Sequence, residues 1–226
     1  MKGTGKAKPE VILASRSPRR SELLRLLNIP FRVRTPETPE ERDSRSPAVL
    51  VASLLAERKA LSVAREHSDA LVIAADTLVV LDNRILGKPS DLTSARGMLL
   101  ALRDGEHRVV TGLAVAQPGN ARPDVQAVET RVWMRDYAGQ EIEDYIARGE
   151  PFDKAGAYAI QDDLFRPVRT IEGCYANVMG LPLCHLAVAL ERSGLLRLFA
   201  TPHRACDVHL GRTCLVAPGI LTKQDH

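Results

Sequence analysis

The chain is 226 residues long, 45% hydrophobic and 26% charged, with 31 basic and 28 acidic side chains for a net charge of +3. This is ordinary globular composition, with enough chain for one large domain or two small ones. The near balance of charge argues against a nucleic-acid binder, and no apolar run reaches the ~20 residues that a membrane span requires. Residues 1–8 read as a flexible lead of glycines and lysines, with no apolar core of a secretion signal behind them, so a cytoplasmic location is expected. Val11 to Ala14 is an apolar strand, and Arg19 to Leu27 a helical pattern opened by Ser17 and Pro18. Phe31 to Arg34 alternates as a short strand, and residues 35–47 form a proline-rich loop. Ser46-Pro47 starts a long helix ending near His67, with Val49, Leu50, Leu54, Leu61 and Val63 as its apolar positions.

Ala70 to Leu81 is an almost wholly apolar strand, expected to be central. Asp82-Asn83 turns it back into Arg84 to Leu86, and Gly87 to Ser90 make a second turn before a helix from Asp91 to Leu102. Strands are expected at Arg108 to Ala116 and Val125 to Arg135, and a helix from Tyr137 to Arg148, stopped by Gly149. Residues 152–172 suggest short strands, and Gly180-Leu181-Pro182 opens a last helix to about Leu198. Strands and helices alternate, so the class is α/β with a largely parallel or mixed sheet. Residues 199–226 lose periodicity and read as an appendage to a domain spanning 9–198.

Three places carry chemistry. A strand feeding a helix N-terminus leaves unpaired N–H groups that attract anions, and Ser15, Ser17, Arg16, Arg19 and Arg20 surround that turn. It matches neither the P-loop nor the dinucleotide fingerprint. Asp76 stands in the apolar run Leu71 to Val80, where an ionised carboxylate must find a cation, a metal or hydrogen-bond donors. Lys88 lies a hairpin's length beyond it, while Lys59 taken alone reads as an exposed helix residue. Gln161 follows a segment of small residues around Gly156, and a buried amide there would offer a base edge both a donor and an acceptor.

Taken in order, Ala14-Ser15-Arg16-Ser17-Pro18-Arg19-Arg20, Ala56 to Ala60, Ala75-Asp76-Thr77, Gly87-Lys88-Pro89, His107 to Gly112, Lys154 to Tyr158 and Val178 to Leu183 resemble the Maf family of nucleoside triphosphate pyrophosphatases. The resemblance implies a long mixed β-sheet flanked by helices, two lobes around a cleft, and often a homodimer. It implies cleavage of a nucleoside triphosphate between the α and β phosphates with a divalent metal, Mg²⁺ or Mn²⁺. No nucleic-acid or membrane partner is expected.

Residue by residue, Asp76 matches the family's proton acceptor and is also placed to hold metal. Ser15, Arg19, Lys59 and Lys88 match triphosphate-contacting positions, Arg20 belongs to the same cationic set, and Glu40 is assigned to metal. Arg19, Thr77 and Gln161 match positions that separate substrate subgroups, and here resemble the branch acting on dTTP and UTP. Pro39 stands where another acid is usual. Asp162-Asp163 adds negative charge where a glycine is usual, which keeps modified pyrimidine nucleotides open as substrates. Gly173-Cys174-Tyr175 replaces a Gly-Ser-Tyr string. An alternative is a nucleotide-binding regulator of cell division with little catalysis. The tail from Thr201 has no counterpart in the resemblance. The four cysteines, Cys174, Cys184, Cys206 and Cys214, form no CxxC pair and fit a reducing compartment. In the tail, His203, Cys206, His209 and Cys214 carry zinc-type donors at a spacing common to no zinc motif.

Overall fold

The computed structural model describes residues 9–38, 46–195 and 201–222, so Pro39, Glu40 and the 1–8 lead lie outside the described residues. Among the described residues a seven-stranded sheet runs in the order β2-β1-β3-β5-β6-β7, with β4 paired to β3 as well. The strands are β1 (Val11–Ala14), β2 (Arg32–Arg34), β3 (Leu71–Leu81), β4 (Arg84–Leu86), β5 (Glu106–Ala116), β6 (Asp124–Met134) and β7 (Val168–Glu172). β1 pairs in parallel with β2 and β3, and every other pairing is antiparallel, so the sheet is mixed.

One edge of β3 pairs continuously with β5, from Val72 opposite Ala116 to Val80 opposite Arg108. Its other edge is shared. β1 covers it from Leu71 to Ala74, and β4 covers it from Val79 to Leu81. Among the described residues no strand covers the stretch between, Ala75 to Leu78. A gap of this kind, beyond the carboxyl end of a parallel strand, is where α/β sheets bind ligands.

Side chains alternate across the sheet, and each face has its own cover. Helix α2 (Ala48–Glu66) packs its small and apolar stripe on one face, where Ala56, Ala60 and Val63 meet Val72, Ala74 and Ala114. Further along, Val51, Ala52 and Leu55 meet Leu78, Val80 and Val110. Val63 is buried as expected, but Val49, Leu50 and Leu54 are exposed. The approach is closest at Gly112, where a Cβ would lie 2.1 Å from the Ala52 carbonyl oxygen.

The opposite face carries two cores, on either side of the gap. The first packs α1 (Pro18–Arg25), α5 (Tyr175–Met179) and α6 (Leu183–Arg192) on Leu71, Ile73, Leu113 and Val115. The second packs α3 (Leu92–Leu102) and α4 (Gly139–Ala147) on Val79, Val109 and Val132. Asp91 caps α3, its carboxylate accepting the Ser94 N–H at 2.7 Å.

Three stretches differ from the sequence reading. The stretch 152–172, expected to carry short strands, holds one at its end, β7, while Glu150–Asp153 and Ala155–Ala157 form short 3₁₀ turns with Gly156 at φ 70°. The helix expected to open at Gly180-Leu181-Pro182 is α6, and a further short helix, α5, precedes it, closed by Gly180 at a left-handed φ of 109°. The tail is helical: α7 (Pro202–Leu210) and α8 (Ala217–Leu221) bury Cys206 and Ala217, and Cys206, Leu210 and Val216 join the α1–α5–α6 core. His209 points away from the other tail donors, with Nε2 3.2 Å from Glu22. No described helix is long and apolar enough to cross a membrane.

Candidate active site

The gap in the β3 edge opens into a cavity of about 320 Å³, lined by Ser15, Arg19, Arg20, Lys59, Asp76, Thr77, Lys88 and Gln161 together. They arrive from the turn after β1, from α1, α2 and β3, from the turn after β4, and from the loop after the 3₁₀ turns. β1 ends at Ala14, and its chain turns through Ser15 into α1, where Ser17 holds the N-cap position and Pro18 the first turn. Ser17 makes no side-chain cap bond. Its backbone N–H instead donates to Ser15 Oγ at 3.1 Å, which folds the turn around the buried Ser15 hydroxyl.

Asp76 pairs in register with Gly112, so its side chain lies on the α2 face of the sheet. The glycine admits α2 so closely that Lys59, one helical turn beyond Leu55 on the buried stripe, reaches it. The Lys59 ammonium donates to Asp76 Oδ1 in an ion pair whose side chains are only 11% and 7% exposed. Asp76 Oδ2 is buried and has no hydrogen-bond partner among the described residues. Lys59 is therefore no exposed helix residue, and one carboxylate oxygen stays uncommitted.

Thr77 points to the other face, into a polar web. Its hydroxyl is 3.0 Å from that of Thr111, which donates to the Asn177 carbonyl at 3.1 Å. Arg20, expected among the phosphate-contacting groups, turns inward to the same web. Its Nε donates to the Gly180 carbonyl at 2.9 Å, Nη2 to Thr77 Oγ1 at 3.1 Å and Nη1 to Ser15 Oγ at 3.4 Å. The planar guanidinium thus ties the first turn, the central strand and the end of α5 together.

Lys88 follows β4 at the rim, exposed, and Arg16 is likewise exposed; neither makes an ion pair among the described residues. Arg19 is held by Asp153, Nη1 to Oδ2 at 3.0 Å, in a pair open to solvent on the acid's side. Lys154 is buried and donates to Asp153 Oδ1 at 2.6 Å and to the Glu150 carbonyl at 2.5 Å. The cavity wall therefore holds Arg16, Arg19, Arg20, Lys59, Lys88 and Lys154 against Asp76 and Asp153. Asp153 and Lys154 went unnoticed as site residues in the sequence, although their segment is dense in small residues.

Gly156 lets this segment sit on β3, since a Cβ there would meet Val79 Cγ1 at 2.9 Å. Behind it, Tyr158 lines the cavity and its hydroxyl is 2.7 Å from His107 Nε2, a buried pair. Burial lowers the His107 imidazole to about 4, so it is neutral near pH 7. Asp162 does not load the cavity with charge as expected. Its Oδ1 accepts from Arg148 at 2.9 Å and from the Phe165 N–H at 2.6 Å.

The chain is similar to known proteins over most of its length. A dTTP/UTP pyrophosphatase of Pelotomaculum thermopropionicum is 46% identical over 188 residues, covering 82% of this chain and 97% of that one. A protein of the same name from Dictyoglomus turgidum is 47% identical over 187 residues, covering 82% and 96%. A solved nucleoside-triphosphatase / dITP/XTP pyrophosphatase from Mycobacterium abscessus is a partial likeness, 18% identical over 55% of this chain and 74% of that one, with a TM-score of 0.37. Residues 10–193 match the family described as Maf-like protein, and the chain belongs to that family.

Proposed function

We propose that this chain hydrolyses nucleoside triphosphates between the α and β phosphates, taking dTTP and UTP to the monophosphate and pyrophosphate. The observation that carries the reading is the Asp76 carboxylate, with its unpartnered Oδ2, in one cavity with the cationic turn after β1. The relatives' printed activity and this chain's family membership support the substrate class.

A triphosphate brings close to four negative charges, and catalysis of its cleavage is mainly positioning and charge stabilisation. Ser15, the N–H groups at the start of α1, Arg19 and Lys88 bind the phosphates from the rim. Lys59 stays on Oδ1 and fixes the carboxylate plane. Asp76 Oδ2 then orients water and takes its proton as the water attacks the α phosphorus in line with the departing pyrophosphate. Arg20 braces Ser15 and Thr77 from behind. Gln161 offers the base an acceptor and a donor.

An unpartnered carboxylate oxygen beside a phosphate cradle suits Mg²⁺ or Mn²⁺, which bind through one or two carboxylates plus substrate oxygens. Asp76 would hold such an ion, joined by Glu40 on the resemblance, and the ion would neutralise charge on the transferring phosphates. A cytoplasmic location and a homodimer belong to the same reading, and light scattering tests the second.

The test is phosphate release in the presence of added pyrophosphatase across eight ordinary nucleotides, with and without Mg²⁺. dTTP and UTP should be turned over fastest. Asp76→Asn should keep its circular dichroism and lose about 10²–10⁴-fold in turnover, the contribution of a general base. Near-normal hydrolysis by that variant overturns the assignment of Asp76, and a preference for purine nucleotides overturns the substrate.

A further inference from the structure

The Asp162 side chain is only 8% exposed and lies outside the lining of the nucleotide cleft, while the residue before it, Gln161, lines that cleft. One carboxylate oxygen, Oδ1, collects three donors. The Arg148 guanidinium donates to it at 2.9 Å, the Phe165 N–H at 2.6 Å and the Leu164 N–H at 3.2 Å. Bonds to an ionised acceptor are the strong ones, so three of them on one oxygen fix the backbone at residue 162.

The same helix end grips the chain on the other side of Gln161. Arg148 is the C-cap residue of α4, and its guanidinium lies 5.2 Å over the ring of Tyr145, one turn earlier. Tyr145 is buried and stacked on Phe165, with ring centroids 4.5 Å apart. Its hydroxyl accepts the Ala159 N–H at 3.1 Å. Between the two grips the chain turns, and the Asp162 N–H donates to the Ala159 carbonyl at 3.3 Å. Residues 159–162 are therefore a turn closed on itself and anchored at both ends to the end of α4. Just before it, the Tyr158 hydroxyl is tied to His107 of β5. The Gln161 side chain, by contrast, makes no hydrogen bond among the described residues. Its backbone is held and its amide is free.

We propose that Asp162 is a positioning residue for base recognition. With Arg148 and Tyr145 it clamps the turn 159–162, so that the Gln161 amide meets the edge of a uracil or thymine base with its donor and acceptor in fixed places. That edge presents a carbonyl acceptor beside an N–H donor, which a single amide can satisfy together. Holding the backbone from behind makes the arrangement specific, because the entropy of ordering it is lost on folding and not on binding.

Asp162 touches no part of the substrate and acts only through its neighbour. Its charge does not oppose the triphosphate, since Oδ1 is engaged by Arg148 and two backbone N–H groups outside the cavity wall. The identity of the ligand rests on the hydrolase reading of the cleft.

The test measures, on the full chain, calorimetric binding of dTTP and of inorganic triphosphate, which carries the anion without a base. Pyrophosphate release gives KM and kcat. Asp162→Ala should weaken dTTP binding and raise its KM by roughly 5–100-fold, the worth of two neutral hydrogen bonds, with a smaller change in kcat. Binding of inorganic triphosphate should not change, which separates lost positioning from a damaged fold. Asp162→Asn keeps an acceptor at Oδ1 and should recover most of the loss. Gln161→Ala should lose as much as Asp162→Ala, and the double variant no more than either, because the two act as one unit. If Asp162→Ala fails to fold, Arg148→Met replaces it with the same outcomes expected, since it removes one grip and keeps an apolar stem over Tyr145. A parent that binds dTTP more tightly than triphosphate yet cleaves neither overturns the hydrolase reading, and the binding measurements still decide the clamp. The proposal itself is overturned if the base adds nothing to triphosphate binding in the parent, or if Asp162→Ala binds dTTP like the parent. Equal losses for both ligands, or losses that add in full in the double variant, overturn it as well.

Discussion

Lys59→Met is the most informative single change. The Lys59–Asp76 pair is 11% and 7% exposed at its side chains, so solvent does little to soften the loss of one member. Lys59 serves Oδ1, and Oδ2 already lacks a partner, so the variant keeps a buried carboxylate with neither oxygen satisfied. Breaking a buried pair from one side costs about 3–5 kcal/mol. At roughly 2–4 °C per kcal/mol for a chain of this size, the melting temperature should fall by about 6–20 °C. Asp76→Leu should cost a similar amount by stranding the ammonium. The double variant Lys59→Met/Asp76→Leu removes both charges and should return to near the parent's stability, because apolar replacement of a whole buried pair is often neutral or better. Its turnover should stay lost. Urea unfolding followed by circular dichroism gives the four stabilities, and pyrophosphate release gives the activities. Single penalties that simply add in the double variant, within about 0.5 kcal/mol, would show that the pair does not act as a unit and refute the argument.

Gly112→Ala should destabilise by about 3 kcal/mol, the upper end of overpacking, since its Cβ would meet the backbone of Ala52 at 2.1 Å. Because Gly112 is opposite Asp76, activity should fall further than the unfolded fraction explains, measured at a temperature where the variant is folded. His107 gives a pH dependence. Its folded value of about 4 lies below the ordinary 6.5, so the unfolded chain binds the proton more readily. The resulting stability is fully present above about pH 6.5 and is lost as pH falls toward about 4, up to roughly 3 kcal/mol. Urea midpoints over that range should show the slope, and His107→Phe should flatten it. Arg20→Lys replaces three separate donor contacts by one ammonium and should cost about 1.5–3 kcal/mol. It should also raise KM for dTTP, while a variant with unchanged stability and KM would remove the brace from the argument.

The frame of the fold was legible because it rests on local signals. The apolar runs of β1 and β3, the Asp82-Asn83 turn and the helix stop at Gly149 depend on side chains a few residues apart. The sequence also placed Asp76 correctly as a buried acid. Lys59 was misread for a specific reason. Val63 belonged to the expected apolar face of α2 but Leu55 did not, and both, four residues either side of Lys59, are buried. On that stripe a lysine has to meet an acid. Arg20 was read as a free phosphate ligand because its three partners lie up to 160 residues away in sequence. The helical tail was missed because α7 is short and is stabilised by packing of Cys206 and Leu210 on the core, which local periodicity does not announce.

The relative strengths of the ion pairs decide which cations move when a polyanion arrives. Arg19 is held by Asp153, whose side chain is 58% exposed, and such a pair contributes about 0–1 kcal/mol. A phosphate oxygen offering a charge-assisted, two-pronged contact outcompetes it, so under the proposed function Arg19 would leave Asp153 and close on the substrate. Lys154 remains behind to hold the released acid, to which it is already bonded at 2.6 Å. Lys59 cannot make the same exchange, because leaving Asp76 would strand a buried carboxylate at a cost several times larger. The two cations that look alike in the sequence therefore separate by burial. In the proposed reaction the one with the solvent-exposed partner is the arm that closes on the phosphates, and the one with the buried partner keeps the carboxylate aimed at the attacking water.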